Sequence, residues 1–356
     1  VYKNSNSSKK DQFRFNGKVV WNITQHLKVQ GTAGAELNWF TFEDYKAPTT
    51  PGYESGYLQN NNFRNRMYNF ELLALYNNSW GNFDFNATLG GNLYKVNNQT
   101  IVTTAKDMKI RDVVALMSFN EVSVEPYSYR KQINSIYGAV NLGWKHMLYF
   151  DATLRGDQSS TLPISNNMYM YPSFSGSFVF SELLKLGDKL PYGKVRMSWA
   201  QVGSDTDPYQ LGLVYTKSKF AYPGYTIGYI SNGTIPNKDL KPTKTNSFEM
   251  GLELKFLKNR IGLDFTYYSQ LSKNQIMGMA SSSTSGYGYR LINAGEIENK
   301  GVEIALNTRP IQTKDFSWDL NFNFSKNSNK VKKLVDDMDM FELEKATWLD
   351  VQVAAS

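Results

Sequence analysis

The chain has 356 residues, of which 41% are hydrophobic and 14% aromatic, and its formal net charge is +7. This aromatic content excludes a disordered chain, because such chains lack the apolar surface that folding buries. The sequence contains no cysteine, which excludes disulfides and thiolate chemistry. No run approaches the roughly 18 apolar residues of a membrane-spanning helix, and the first twelve residues lack the apolar core of a signal peptide.

Apolar and polar residues alternate along most of the chain, a period that predicts β-strands. Many of the alternating segments exceed the roughly 9–11 residues that cross a bilayer as a strand, whereas ordinary strands have about 5–6. Helical periodicity is confined to 105–118 and 181–187. About twelve strands are predicted, at 13–23, 27–39, 63–80, 82–96, 129–144, 147–157, 170–180, 194–203, 245–257, 260–273, 296–309 and 316–327.

This alternation alone leaves two environments open. In segment 315–327, DFSWDLNFNFSKN, aromatic and aliphatic residues occupy one phase, and serine, asparagine and aspartate occupy the other. In a soluble β-sandwich the apolar phase faces a core. In an outer-membrane barrel it faces lipid, and the polar phase lines an aqueous interior.

The connections between the predicted strands favour the barrel. Short or medium turns alternate with long polar loops, as expected where one rim is periplasmic and the other carries the extracellular loops. A Greek-key sandwich has no reason to keep this alternation. The shorter connections are predicted at 24–26, 80–82, 145–146, 181–193, 257–260 and 310–315, and the long loops at 41–62, 97–128, 158–169, 204–244 and 274–295.

Tryptophan placement points the same way. Six tryptophans occupy the apolar phase, and we expect them to form girdles at the two membrane interfaces: Trp21, Trp39, Trp80, Trp144, Trp199 and Trp318. The opposite phase carries charged residues such as Arg155, Arg196 and Asp264. Turning an arginine to the bilayer midplane costs roughly 2–4 kcal/mol, so the apolar phase is predicted to meet lipid. Its representatives are Phe83, Phe85, Leu252, Leu254, Leu263, Phe265, Leu320 and Phe322.

Several long blocks resemble one family. NAGEIENKGVEIALNTRPI at 293–311, FSWDLNFNFSKNSNKV at 316–331 and NRIGLDFTYYSQLSKNQIM at 259–277 are similar to sequences of the SusC/RagA-like TonB-dependent outer-membrane transporters. DATLRGDQSS, YPSFSGSFVFSE and KVRMSWAQVGSDTDPY, which begin at 151, 171 and 194, resemble its mid-barrel blocks in the same order. The resemblance is strongest from about 136 to 334.

The resemblance implies an all-β, antiparallel transmembrane barrel of 22 strands, plugged by an N-terminal domain. It also implies TonB-energised import of oligosaccharides or peptides across the cell outer membrane, with a SusD-like surface lipoprotein as a lid. Residues 1–356 are then expected to be a partial barrel domain, with strands from 13 to 327 and a further outer loop starting in 328–356. The plug, the TonB-contacting segment and the terminal strands are expected to lie outside this sequence.

The residues give little sign of catalysis. His26 and His146 lie in predicted turns without a second ligand at metal spacing, and nucleophile, phosphate-loop and zinc motifs are missing. The chain is therefore not expected to be an enzyme or to hold a cofactor, although the acidic runs 205–207 and 336–339 leave a loop Ca²⁺ site open. The lysine-rich run 326–333 is interpreted as a solvated loop, and nucleic acid is not expected as a partner.

Aromatic residues in two predicted outer loops are the candidate substrate contacts: Tyr222, Tyr225, Tyr229, Tyr287 and Tyr289. They could stack on sugar rings or contact a peptide, and the alternative is that they pack the loops together or contact the lid. Two other functions stay open at this point, a passive porin-like barrel and a soluble β-rich adhesin or binding module.

Overall fold

A computed structural model describes residues 3–185, 187–217, 225, 227–230, 233–334, 340–346 and 349–354. The chain divides into two compact units. One comprises residues 1–21, 30–72 and 91–134, and the other comprises residues 22–29, 73–90 and 135–356.

The described part of the chain is almost entirely β-structure. One helical turn, α1, covers Ser181–Leu184, and 3₁₀ turns cover Leu116–Ser118, Gly187–Lys189 and Ser283–Ser285. The strands are β1 Ser5–Asn22, β2 Leu27–Lys46, β3 Tyr57–Trp80, β4 Phe83–Met108, β5 Phe119–Trp144, β6 Leu148–Ser159, β7 Met168–Phe178, β8 Tyr192–Ser204, β9 Tyr215–Lys217, β10 Gly228–Ile230, β11 Thr234–Ile235, β12 Thr243–Phe256, β13 Ile261–Ala280, β14 Tyr289–Gln312, β15 Ser317–Lys333, β16 Met340–Ala346 and β17 Leu349–Ala354.

Sequential pairing joins the long strands. They follow one another as β1 to β8 and then β12, β13, β14 and β15, while the short β11 also joins the edge of β14 in parallel. The pairs from β6 onward whose registers are resolved are antiparallel. The prediction of an all-β, antiparallel sheet with twelve long strands is confirmed for the described residues.

The predicted short connections are also confirmed. The turn after β5 places Lys145 and His146 at φ +52° and +54°, the pair of left-handed residues that a type I′ hairpin turn requires. Gly81 supplies φ +59° in the turn between β3 and β4, a conformation that costs glycine little because it has no Cβ.

The predicted long loops are too long, because the strands extend well into them. β2 continues to Lys46, β4 to Met108 and β13 to Ala280, so that the loop after β13 shrinks from 274–295 to 281–288. These extensions carry polar residues on both phases, as in NNN at 60–62 and NNQT at 97–100. Alternation disappears where both faces are polar, although the backbone ladder continues.

The predicted helical turn at 105–118 is wrong, apart from the 3₁₀ turn at its end. Ala105 and Met108 belong to β4, and both are buried with Tyr45, Leu58 and Phe119 in an apolar cluster of the first unit. The burial of Ala105 and Met108 in this cluster therefore explains the three-residue spacing of apolar residues that resembled a helical period. The helical turn predicted at 181–187 is confirmed over α1.

The second unit contains a separate buried cluster of Leu162, Tyr169 and Leu240, with Ile276 and Leu291 packed against it. Leu240 belongs to the connection between β8 and β12, so the cluster packs part of this connection against residues of β7, β13 and β14.

The lysine-rich run 326–333, interpreted above as a loop, belongs to β15, where it pairs with β14. The segment expected to begin an outer loop, 328–356, contains the end of this strand and the hairpin of β16 and β17. No helix among the described residues is both long enough and apolar enough to cross a membrane.

Candidate functional site

The sheet of the second unit has one apolar and one polar face. Leu252 pairs with Val195 and Phe265, Phe265 pairs with Ile304, and Ile304 pairs with Phe324. We call the phase of these residues on β8 and β12–β15 the apolar face, and the opposite phase the polar face. The register therefore aligns apolar positions across five strands.

The apolar face is exposed. Phe322 is 58% exposed, and Leu320, Met250 and Trp199 are also among the exposed large side chains. Soluble monomers rarely expose contiguous apolar surface larger than a few hundred Å². A sandwich would cover this face with a second sheet, and the described residues provide no such layer.

The polar face carries an ion pair that crosses a strand. The Arg196 guanidinium donates to both carboxylate oxygens of Asp264, at 2.8 and 3.1 Å, and to the Thr266 hydroxyl at 2.7 Å. Arg196 lies on β8 and its two partners lie on β13, so its side chain passes over Gly251 of β12. A Cβ at Gly251 would collide with this side chain.

A polar pocket of about 430 Å³ lies beside this ion pair on the same face. The Tyr268 hydroxyl crosses above Gly301 and donates to the Asn327 side-chain oxygen at 3.2 Å. Carboxylate, amide and hydroxyl groups of this kind can bond to sugar hydroxyls or to peptide groups. The lining residues are Glu249, Thr266, Tyr268, Gln270, Asn299, Glu303 and Asn327.

A second polar network lies near the ends of β6 and β7 that flank the connection 160–167. Arg155 donates to Asp157 and to the Ser135 hydroxyl, both at 2.8 Å, and Asp157 also accepts from the Tyr171 hydroxyl. The Arg155 guanidinium lies over the Tyr137 ring, 5.0 Å from its centre. Asp157 is buried, and these bonds offset the cost of burying its charge.

The histidines lie where the sequence predicts. His26 contacts the Asn77 carbonyl oxygen at 3.0 Å, and His146 lies 3.9 Å from the Asp84 carboxylate. His26 and Asp84 border a polar pocket of about 780 Å³ at the short-turn ends of β3–β6, which Asn141 and Asp151 also line.

Two acidic runs, 205–207 and 336–339, were considered above as Ca²⁺ sites. Asp205 accepts hydrogen bonds from the Ser159 and Thr161 hydroxyls, and 336–339 lies outside the described residues. The described residues contain no group of three or more histidine, aspartate and glutamate side chains placed to hold a metal ion.

The predicted loop tyrosines occupy different settings. Tyr225 and Tyr229 are 74% and 50% exposed, and Tyr229 lies in the short hairpin of β9 and β10. Tyr289 opens β14, pairs with Thr234 of β11, and donates its backbone N–H to the Gly233 carbonyl at 2.7 Å.

Tyr287 is half-buried and lies beside Ser285, whose hydroxyl accepts its backbone N–H at 3.2 Å. Tyr222 lies outside the described residues. The structure therefore ties Tyr289 to the connection between β8 and β12 through its backbone, while the side chains of Tyr225, Tyr229 and Tyr289 are all exposed.

Asn293 of β14, which sequence reasoning missed, ties the connection between β8 and β12 to β13 and β14. Its side chain accepts the Lys241 N–H and donates to the Lys241 carbonyl, each at 2.7 Å, and it also donates to the Asn274 carbonyl at 3.1 Å. Sequence offers no signal for this bridge, because the three residues meet only through the fold.

The six tryptophans fall into two groups. Trp21, Trp80, Trp144 and Trp318 lie within a few residues of the short turns. Trp39 lies inside β2 because this strand extends further than expected, whereas Trp199 lies in the middle of β8, as in the predicted strand 194–203. Trp199 stacks on Phe174 with ring centres 6.1 Å apart, and all six are exposed or half-buried.

A long antiparallel sheet with a hydrogen-bonding polar face and an apolar face that no second layer covers is typical of outer-membrane β-barrel proteins. Comparison with known families assigns residues 2–341 to the TonB dependent receptor-like β-barrel family. The chain belongs to this family, which is one of receptors and not of enzymes, and whose place is the bacterial outer membrane.

The curated relatives that the chain resembles are also TonB-dependent receptors. The chain is 28% identical over 347 residues to TonB-dependent receptor P3 of Formosa agariphila, covering 94% of this chain and 34% of the relative. It is 30% identical over 225 residues to TonB-dependent receptor SusC of Bacteroides thetaiotaomicron, covering 60% of this chain and 22% of the relative. The chain thus spans about a third or less of these relatives.

Solved structures show the same fold. A chain of the RagAB peptide transporter matches 99% of this chain with a TM-score of 0.88 at 21% identity, and the match covers 40% of that chain. The siderophore receptor PiuA of Acinetobacter baumannii matches 92% of this chain with a TM-score of 0.59 at 14% identity, over 48% of its own length. The resemblance to SusC/RagA-like proteins is confirmed.

Proposed function

We propose that this chain forms part of the wall and outer loops of a transporter that imports oligosaccharides or peptides across the outer membrane with energy delivered through TonB. Membership of the receptor family supports this proposal, and the observation that carries it is the exposed, in-register apolar face opposite a hydrogen-bonding polar face. In this arrangement the apolar face meets lipid and the polar face lines the transport path.

The tryptophans support the same orientation. With a rise of about 3.3 Å per residue and a strand tilt of about 40°, Trp39 lies roughly 30 Å above the start of β2. Trp199 pairs with Phe248, which by the same estimate lies roughly 20 Å above the end of β12. Within the second unit, Trp80, Trp144 and Trp318 lie close to the turns at the other end of the strands, so these residues and Trp199 would bound an apolar band of about 25 Å.

We assign the short turns to the periplasm and the long connections to the outside. The exposed rings of Tyr225 and Tyr229 are then available to arriving cargo, and Tyr222 is proposed to join them. Tyr287 and Tyr289 are proposed to line the neighbouring loop. A SusD-like surface lipoprotein would close over these loops, and TonB would act through a segment outside this sequence.

Uptake measurements in cells test this function. A strain lacking the gene is complemented with the full-length protein and supplied with labelled oligosaccharides in one arm and labelled peptides in another, with and without TonB. We expect uptake of one cargo class that requires both the protein and TonB. Uptake that persists without TonB would instead identify a passive porin, and uptake of neither class would contradict the proposal.

The lid requires its own measurement. Affinity purification of the full-length protein from outer membranes should recover a surface lipoprotein, and recovery should fall when the connection between β8 and β12 is shortened. A matched shortening of the medium turn between β7 and β8, which lies at the other rim, should leave recovery unchanged. Purification of the protein alone under both conditions would contradict the proposed partnership.

A further inference from the structure

A row of lysines lies on the apolar face of β12–β15, next to its continuous band of apolar residues on the side away from the short turns. The alternation of each strand places these lysines in phase with Phe248, Tyr267, Val302 and Phe324, and they are exposed or half-buried. We call this set the lysine row: Lys244, Lys273, Lys300, Lys326 and Lys330.

The strand register brings the lysine row together. Lys244 pairs with Lys273, and Lys273 pairs with Glu296. One step closer to the apolar residues, Lys330 pairs with Glu298. Charged residues of neighbouring strands thus lie side by side, although they lie up to 86 positions apart along the chain (330 − 244).

Lys300 and Lys326 continue the row toward the apolar band. Lys300 lies between Ser269 and Ser328 in the ladder. Lys326 pairs with Val302, the apolar residue that follows Lys300 on this face of β14. The lysine row therefore directly adjoins apolar side chains.

Positive charge exceeds negative charge on this surface. Lys273 pairs with Glu296 at 2.9 Å and Lys300 pairs with Glu298 at 2.7 Å. Within the described part of the chain, the three remaining lysines of the row form no ion pair. The row therefore carries a surplus of three positive charges over these two glutamates (5 − 2).

In the described part of the same strands, the polar face carries no lysine at this level. At the level of Lys300 and Lys326 its positions hold Tyr268, Asn299, Glu303 and Asn327. The lysines are thus segregated to the side that bears the apolar band, which a generally solvated strand end would not require.

The height of the row matches a membrane interface. Lys244 and Lys273 lie twelve residues from the ends of β12 and β13 at the short turn. At about 3.3 Å per residue and a tilt of about 40° this is roughly 30 Å, just above an apolar band of about 25 Å. In the proposed orientation, Lys244 and Lys273 lie where lipid headgroups begin on the side opposite the short turns. Lys326, nine residues from the start of β15, lies at roughly 23 Å, at the upper edge of the apolar band.

We propose that the lysine row binds the phosphate groups of a phosphorylated glycolipid in the outer leaflet, whose acyl chains lie against Tyr267, Val302 and Phe324. This inference rests on the proposed orientation of the wall. Lysines near a membrane surface attract anionic headgroups, and their aliphatic stems can lie along apolar surface while the ammonium groups reach the phosphates.

Lipid binding to the full-length protein tests the proposal. The protein is placed in nanodiscs of zwitterionic lipid with increasing fractions of a phosphorylated glycolipid, and bound glycolipid is counted by native mass spectrometry. The test variant combines Lys244→Gln, Lys326→Gln and Lys330→Gln, which leaves the two ion pairs intact. The control variant combines Lys189→Gln, Lys258→Gln and Lys314→Gln, which removes the same charge near the short turns.

We expect the test variant to bind the glycolipid on the order of 100-fold more weakly, because each lysine at a membrane surface contributes roughly fivefold. The control variant should change binding less than twofold, and the dephosphorylated glycolipid should bind equally to all three proteins. Raising the salt concentration should weaken binding to the wild type.

Three results would overturn the proposal. They are an equal loss in the control variant, equal binding of the dephosphorylated glycolipid to the wild type, and equal binding of a phosphorylated glycerolipid, which would mean that bulk phospholipid occupies the row. If instead the test variant lost a surface lipoprotein and kept the glycolipid, the row would be a protein contact.

Spin labels on single cysteines at Val302 and Glu303 separate failure of this inference from failure of the proposed orientation. Relaxation by oxygen reports lipid at the label, and relaxation by a nickel complex reports water. If glycolipid does not bind while the label at Val302 reports lipid, the lysine row has another role and the wall assignment stands. If the label at Val302 reports water and that at Glu303 reports lipid, the wall assignment itself is wrong.

Discussion

Arg196 and Asp264 lie on β8 and β13, two strands separated by β12, yet two hydrogen bonds of 2.8 and 3.1 Å join their side chains. Gly251 on the intervening strand makes this possible, because a Cβ there would meet the arginine side chain within its contact distance. The polar face thus contains a link between non-neighbouring strands that depends on a glycine.

Replacing Gly251 with alanine should break this link. We expect Gly251→Ala and Asp264→Ala each to lower the free energy of unfolding by about 1 kcal/mol, since the pair is partly exposed. In an Arg196→Ala background Gly251→Ala should cost almost nothing, because the atoms nearest the added Cβ belong to Arg196. The temperature at which the folded band disappears in electrophoresis measures these effects, and an equal loss in both backgrounds would contradict the explanation.

Arginine substitutions distinguish the two faces. Phe322→Arg and Leu263→Arg should impair assembly, because an arginine on the lipid side costs roughly 2–4 kcal/mol near the bilayer midplane. Asn321→Arg is the matched control on β15, and Asp264→Asn is the milder control on β13. The measurement is the fraction of heat-modifiable protein in outer membranes. Greater damage from the controls would invert the face assignment and revive a soluble core.

Sequence periodicity predicted the strands best where one face is apolar. β12 and β15 show why. Leu252 and Leu254, or Phe322 and Phe324, alternate with polar residues, so the local sequence alone shows that the segment is a strand and which of its faces is apolar. The outer half of β4, with NNQT at 97–100, carries no such contrast and was predicted as loop. Local sequence cannot report pairing that depends only on backbone hydrogen bonds to a neighbouring strand.

The polar contacts were less accessible to prediction. Arg155, Arg196 and Asp264 could be placed on the polar phase, but their partners depend on register and on Gly251. Asn293 gave no signal, because its bonds to Lys241 and Asn274 join segments that only the complete sheet brings together. The Trp21 to Trp318 girdle and the loop tyrosines stay predictions.

Removing the Asn293 side chain should free the loop that it holds. We expect Asn293→Ala to speed hydrogen exchange at the Lys241 amide by about two- to tenfold, since a typical intramolecular hydrogen bond contributes about 0.5–1.5 kcal/mol. The β13–β14 ladder should keep its protection, because its backbone pairing is unchanged. Asn299→Ala, on the same strand but in the polar pocket, is the control. Unchanged exchange at Lys241 would show that the bridge contributes nothing to the loop.

The exposed loop tyrosines should contribute to cargo affinity. Tyr225→Ala and Tyr229→Ala are each expected to weaken binding by about 0.5–1.5 kcal/mol, the range typical of one aromatic contact. Tyr289→Phe is the control, because the backbone bonds of Tyr289 survive this change. Calorimetric titration of the purified full-length protein measures the affinities. If both alanine variants bind cargo as the wild type does, the tyrosines serve loop packing or the lid instead.

Cysteine labelling along β14 tests the central claim most directly, namely that the apolar face meets lipid and the polar face meets water. The chain has no cysteine, so single cysteines can be placed at Val302, Ile304 and Leu306 and, on the other phase, at Glu303, Ala305 and Asn307. Spin labels on the reconstituted full-length protein are then exposed to oxygen, which partitions into lipid, and to a water-soluble nickel complex. The even-numbered positions are expected to respond to oxygen and the odd-numbered positions to nickel, with a period of two. The opposite phase, or a response to nickel at all six positions, would contradict it.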